Sequence, residues 1–187
     1  MSIPLIKKIL IKSISLVSII LPWHINPAMA DETEIKTGDP APAFTLYDQH
    51  NKQRSITDYQ GKWLIIYFYP KDDTPGCTQE ACHFRDDIYK IRELNAEVIG
   101  ISIDNILSHK AFSEKFNLPF PLLADPNGIT ARQYGAFFSL GPVKFAKRHS
   151  FIVDPRGKIA KIYRDVDTQT HSQEIISAIT QLANDVR

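Results

Sequence analysis

The sequence predicts an α/β domain in which a central mixed β-sheet is flanked by helices and preceded by an N-terminal β-hairpin. Three observations predict it. Trp63–Tyr69 (WLIIYFY) is a nearly continuous apolar, β-branched and aromatic run, the pattern of a strand buried on both faces. Apolar residues at helical spacing follow, and then a second buried run, Glu97–Ile103. Near the end, Asp154-Pro155-Arg156-Gly157 forms a hairpin turn between two strand-like segments.

Each element has its own signal. Phe44–Leu46 and Ser55–Ile56 flank the polar stretch Asp48–Lys52 and read as a short hairpin. Gly61-Lys62 breaks the chain before the Trp63–Tyr69 strand. That strand ends in dense turn chemistry, Pro70–Gly76 (PKDDTPG). From Cys77 to Leu94, residues Ala81, Phe84, Ile88, Ile91 and Leu94 fall near one face of a helix. Leu107–Phe116 is a helix with Ser108 as its cap, Phe120–Leu123 a short strand, and Gly128–Tyr134 a short helix. Ser150–Val153 and Ile159–Tyr163 flank the second hairpin turn, and Ser172–Val186 is a final amphipathic helix. The order is β-hairpin, βαβα, β-hairpin, α. It places a partly parallel sheet between helices on both faces, a thioredoxin-like pattern.

Length and composition fit one domain plus an appendage. The chain has 187 residues, 43% of them hydrophobic and 23% charged, which argues against disorder. The net charge is +1 and no long basic run occurs, so nucleic acid is not an expected partner. Residues 1–30 read as a secretory signal peptide: Lys7, Lys8 and Lys12 without an acid, an apolar run Ile14–Trp23, then Ala28-Met29-Ala30 before Asp31. The apolar run is shorter than the about 20 residues a membrane span needs. No stable membrane insertion is expected after cleavage, although an uncleaved anchor is the competing reading. Residues 31–187 would remain as the domain, with Trp63 its only tryptophan.

The two cysteines, Cys77 and Cys82, carry the chemistry. Cys77 follows a strand end and a tight turn, where ligands bind in open α/β sheets. At the start of a helix it faces unpaired N–H groups and the positive end of the helix dipole, which favour thiolate over thiol. Cys82 lies five residues on, a rise of about 7.5 Å and a rotation of roughly 140°. The two Cα atoms are then about 8–9 Å apart, whereas a disulfide needs less than about 7 Å. A permanent disulfide inside a regular helix fits this spacing poorly. A transient one, formed when the helix unwinds, fits it well.

The segment PKDDTPGCTQEAC, Pro70–Cys82, resembles the peroxiredoxin signature P-x-x-x-T-x-x-C with a second cysteine five residues on. That arrangement is similar to the peroxiredoxin Q, or bacterioferritin comigratory protein, subfamily. The likeness continues through FRDD (Phe84–Asp87), GISID (Gly100–Asp104), SHKAF (Ser108–Phe112), FPLLAD (Phe120–Asp125), YGA (Tyr134–Ala136) and RHSFIVD (Arg148–Asp154). The resemblance implies a thiol peroxidase in which Cys77 attacks the peroxide and Cys82 resolves the resulting sulfenic acid. It further implies that Thr74 hydrogen-bonds the reacting atoms, Pro70 shields the pocket, and Arg148 holds the thiolate and polarises the peroxide. A fixed guanidinium suits charge growing on a leaving oxygen. A thioredoxin-like reductant would complete the cycle, and no cofactor is called for. The resemblance also implies a monomer. The leader implies export, to a periplasm or, in a photosynthetic source, a thylakoid lumen.

Other readings compete. A disulfide oxidoreductase favours C-x-x-C, not the C-x₄-C found here. A copper site would want C-x-x-x-C with a distal histidine such as His149. His83, His109 and His149 show no metal-ligand spacing. Glu80 and Arg85 form a possible helix-surface ion pair at a spacing that is not ideal, and Arg85 is alternatively a helper that orients Arg148. Phe137, Phe138 and Phe145 are candidates for an apolar rim or for local core.

Overall fold

A computed structural model describes residues 34–185. The signal-peptide reading of residues 1–30 lies outside them. The elements are β1 (Thr45–Asp48), β2 (Gln53–Ser55), a 3-10 turn (Ile56–Tyr59), β3 (Trp63–Phe68), α1 (Pro75–Asp86), α2 (Ile88–Glu93), β4 (Ala96–Ser102), α3 (Ile106–Phe116), β5 (Leu122–Ala124), α4 (Ile129–Gln133), β6 (Phe137–Leu140), β7 (Val143–Ala146), β8 (Ser150–Val153), β9 (Ile159–Tyr163) and α5 (His171–Asp185).

Seven strands form one mixed sheet in the order β2-β1-β5-β4-β3-β8-β9. β3, β4 and β5 run parallel, while β8 and β9 close one edge antiparallel and the β1–β2 hairpin closes the other. This is the expected thioredoxin-like architecture. β3 lies inside the sheet between β4 and β8 and every residue in it is buried, which is why it reads as an unbroken apolar run. Its alternating side chains supply two cores. Trp63, Ile65, Tyr67 and Tyr69 pack against α1, α2, α3 and α5. Leu64, Ile66 and Phe68 pack on the opposite face with Phe44, Tyr134 and Phe151.

Three local expectations change. The expected Cys77–Leu94 helix is interrupted at Asp87, which ends α1 and precedes α2. Asp87 is held there by Ser172 Oγ and Gln173 Nε2, which donate to Oδ2, and by Lys90 Nζ, which donates to Oδ1. Asn105, not Ser108, caps α3: its Oδ1 accepts from Ser108 N–H, and the Ser108 hydroxyl is spent elsewhere. Phe137–Ala146 forms the unforeseen hairpin β6–β7, turned at Gly141 with φ +56°. Phe138 stacks on its cross-strand partner Phe145 with ring centroids 4.7 Å apart. Phe137 lies against Gly128, where a Cβ would meet its ring at 2.2 Å. These contacts favour local packing for the three phenylalanines.

Candidate active site

β3 delivers the chain to Pro70 at the carboxyl end of the sheet, and α1 starts five residues later. Pro75 occupies the first helical position, where a missing N–H costs nothing. Cys77 therefore sits in the first turn of α1, 1% exposed, among Tyr67, Tyr69 and Ala81.

Arg148 reaches Cys77 from the segment that enters β8. Its Nη2 donates to Cys77 Sγ at 3.3 Å, and its Nη1 donates to Glu80 Oε2 at 2.5 Å. Glu80, one helical turn after Cys77, is buried to 1% exposure. Burial pushes its carboxyl up to about 7, and Arg148 pulls against that rise. Burial works against the Arg148 charge as well, but Glu80 and Cys77 outweigh it and hold the guanidinium protonated. Gly76 makes room for this contact: a Cβ there would stand 3.2 Å from Arg148 Nη2.

The loop between β3 and α1 is fastened to α3. Asp72 Oδ2 accepts from Ser108 Oγ at 2.7 Å and pairs with His109 Nδ1 at 2.9 Å, while Oδ1 accepts from Tyr69 Oη at 2.7 Å. Asp72 N–H donates to Asp104 Oδ2. Burial would raise the Asp72 carboxyl, but its bonds to His109, Ser108 and Tyr69 hold it below the usual range. Lys115 adds an ion pair to Asp73.

The residues singled out in the sequence fall as follows. Cys77 and Arg148 are in direct contact. Thr74 caps α1 by position only; its hydroxyl donates to Lys71 O at 3.0 Å and its carbonyl accepts from Thr78 N–H. Pro70 is half-buried just beyond β3. Cys82 is half-buried on α1, and both cysteines are free thiols. Glu80 and Arg85 do not pair: Glu80 holds Arg148, while Arg85 binds Asp86 and donates to Phe116 O. No cluster among the described residues has the ligands for a metal ion.

Sequence reasoning missed the Glu80–Arg148 pair and the Asp72 anchor. The signal for Glu80 was its place on the otherwise apolar face of α1 beside Cys77, Ala81 and Phe84. Asp72 gave no such signal, since an aspartate in PKDDTPG reads as turn chemistry.

The comparisons with known proteins agree with this geometry. Residues 37–162 match the AhpC/TSA family. A peroxiredoxin named bcp from Coxiella burnetii is 38% identical over 149 residues, which cover 78% of this chain and 99% of the relative. The chloroplastic peroxiredoxin Q of Gentiana triflora is 42% identical over 132 residues, 71% of this chain and 60% of the relative. The crystal structure of the Mycobacterium tuberculosis peroxidoxin BcpB superposes with a TM-score of 0.76 at 31% identity, covering 80% of this chain and 99% of that one. With a buried thiol at a helix start under a guanidinium, and with this kinship along most of its length, the chain belongs to the AhpC/TSA family, in its peroxiredoxin Q branch, and is a thiol peroxidase.

Proposed function

We propose that Cys77 is the peroxidatic cysteine and Cys82 its resolving partner within the same chain. The Cys77 thiolate attacks one peroxide oxygen and the O–O bond breaks. Sulfur is oxidised by two electrons to the sulfenic acid, and the other oxygen leaves as hydroxide or alkoxide and takes up a proton. The Cys82 thiol then displaces that hydroxyl as water and a Cys77–Cys82 disulfide forms. A thioredoxin-like dithiol reduces it by exchange and is itself oxidised. Arg148 stabilises the thiolate and the charge growing on the leaving oxygen. Thr74 acts once its hydroxyl turns from Lys71 O toward the substrate, and Pro70 shields the thiol from solvent.

The observation that carries this reading is the Arg148 hydrogen bond to Cys77 Sγ, with Cys82 five residues on in the same helix. One chain holds both thiols, which supports a monomer as the working unit. The leader supports export to a periplasm or thylakoid lumen.

The test compares reduced wild type with Cys77→Ser and Cys82→Ser after mixing with hydrogen peroxide, read by stopped flow and intact mass. Wild type should lose two hydrogens without dimerising, Cys82→Ser should stop at a trappable sulfenic acid, and Cys77→Ser should be inert. A response no faster than a free thiol, or one carried by Cys82, overturns the assignment. A disulfide between two chains overturns the intramolecular step. Mass is the better readout, because Trp63 starts β3 about 17 Å of strand away from its active-site end.

A further inference from the structure

A cleft of about 400 Å³ opens between the end of β9, the α4–β6 turn and the segment entering β8. Its walls carry three basic side chains, Arg132, Lys147 and Arg164, the imidazole of His149, and one carboxylate, Glu34. The peroxidase chemistry does not use it. Arg148 and Ser150 point toward α1 and α5, where they meet Cys77 and His171. His149, between them, points to the opposite face, the one that holds Phe151 and Tyr134.

His149 is 9% exposed. Its Nδ1 lies 3.5 Å from Arg164 Nη1, and its Nε2 makes no hydrogen bond among the described residues. Burial, reinforced by Arg164 and Lys147, lowers its pKa to about 4, so the ring is neutral. Arg132 is already committed: its guanidinium lies 3.9 Å from the Phe137 ring centre and Nη1 donates to the carbonyls of Asn127 and Gly128. Lys147 makes no ion pair among the described residues, whereas Arg164 holds the 71%-exposed Glu34 carboxylate at 3.1 Å. A carboxylate therefore already sits where an anion would, on a side chain free to swing away.

We propose that this cleft binds small oxyanions, taking a phosphate or carboxylate group between Arg164 and Lys147 beside His149.

The test is an NMR titration of the reduced, isotope-labelled protein with inorganic phosphate and, separately, with succinate, at ionic strength held constant with chloride. Saturable shifts are expected at Gly135, Lys147 and His149 with a Kd of about 1 mM or tighter. Arg164→Gln and Lys147→Gln should each weaken them by about tenfold or more. Saturation by phosphate alone assigns a phosphoryl group, by succinate alone a carboxylate, and by both a general oxyanion site. Linear shifts with both probes, or saturation that neither substitution weakens, overturns the proposal. Should Arg164→Gln fail to fold, Lys147→Gln decides alone, since the Lys147 ammonium makes no ion pair among the described residues.

Discussion

Arg148 spans two groups that differ in kind, with Nη2 3.3 Å from the Cys77 sulfur and Nη1 on the buried Glu80 carboxylate. Cys77 and Glu80 come from successive turns of one helix, and the guanidinium fork lies across both. The carboxylate thereby fixes the direction in which the second donor points. Arginine suits this arrangement because its planar donors are rigidly spaced, and a lysine has no second arm.

Replacing Arg148 should therefore cost rate at the peroxide step. Arg148→Gln is expected to lower kcat/KM for hydrogen peroxide by about 100-fold or more, the scale of losing a charged transition-state donor. Arg148→Lys should recover only a small part of that. Gly76→Ala should crowd Nη2 beside the sulfur and lower activity with both cysteines intact. Stopped-flow oxidation of the reduced variants measures all three.

The Glu80 carboxyl links stability to pH. Its folded value of about 7 lies above the ordinary 4.5, so the folded state holds this proton more tightly than the unfolded state does. The stability it contributes is full below about 4.5 and is lost as pH rises to about 7, by up to about 3 kcal/mol. Glu80→Gln should abolish that slope. Urea midpoints taken across this range check it, and equal slopes in both proteins would refute it.

Asp72 anchors the loop before Cys77. Asp72→Ala removes the shared acceptor of the half-buried Ser108 hydroxyl and of the buried Tyr69 hydroxyl and His109 ring nitrogen, which keep only each other at 3.3 Å; a buried group left unpaired costs about 1–3 kcal/mol. A loss of roughly 1–3 kcal/mol in unfolding free energy is expected. Asp72→Asn, which keeps one acceptor, should lose less. Because the folded Asp72 carboxyl titrates below its ordinary value, its charge-dependent stabilisation is present above that value and disappears as pH falls through the folded one.

Oxidation should open α1 while sparing the loop. A bridge between Cys77 and Cys82 requires the helix between them to unwind. The bonds from Thr168 to Gln79 and from His83 to the Thr168 carbonyl then have to yield. Hydrogen exchange should quicken across Cys77–Asp86 in the disulfide form and stay slow at Asp72, Ser108 and His109. Cys82→Ser treated with peroxide should keep the reduced pattern.

Much of the fold was legible because its signals are local. β3 and β4 are apolar runs, and the turn at Asp154–Gly157 is written in four residues. The position of Cys77 followed from a strand, a turn and a helix start. Arg148 was identifiable only through resemblance, since it lies 71 residues from Cys77 and no periodicity links them. A separation of 68 residues likewise hid its pairing with Glu80. The break at Asp87 was invisible because its partners Ser172 and Gln173 arrive from α5, 85 and 86 residues later. The β6–β7 hairpin escaped notice because its strands are four residues long and partly exposed, so they lack a buried face to set a clear alternation.

Lys147, Arg148 and His149 share three consecutive positions yet serve opposite faces of the sheet. Lys147 is tied to Ala136 O before them, and Ser150 pairs with Tyr67 after them. Only Arg148 and His149 lie between these two ties, so the spacer cannot change length without losing one of them. Removing either residue would delete one site's side chain and shift the other against its tie, undoing two sites in a single step. Homologues that drift freely in the hairpin loop should still count the same number of residues here.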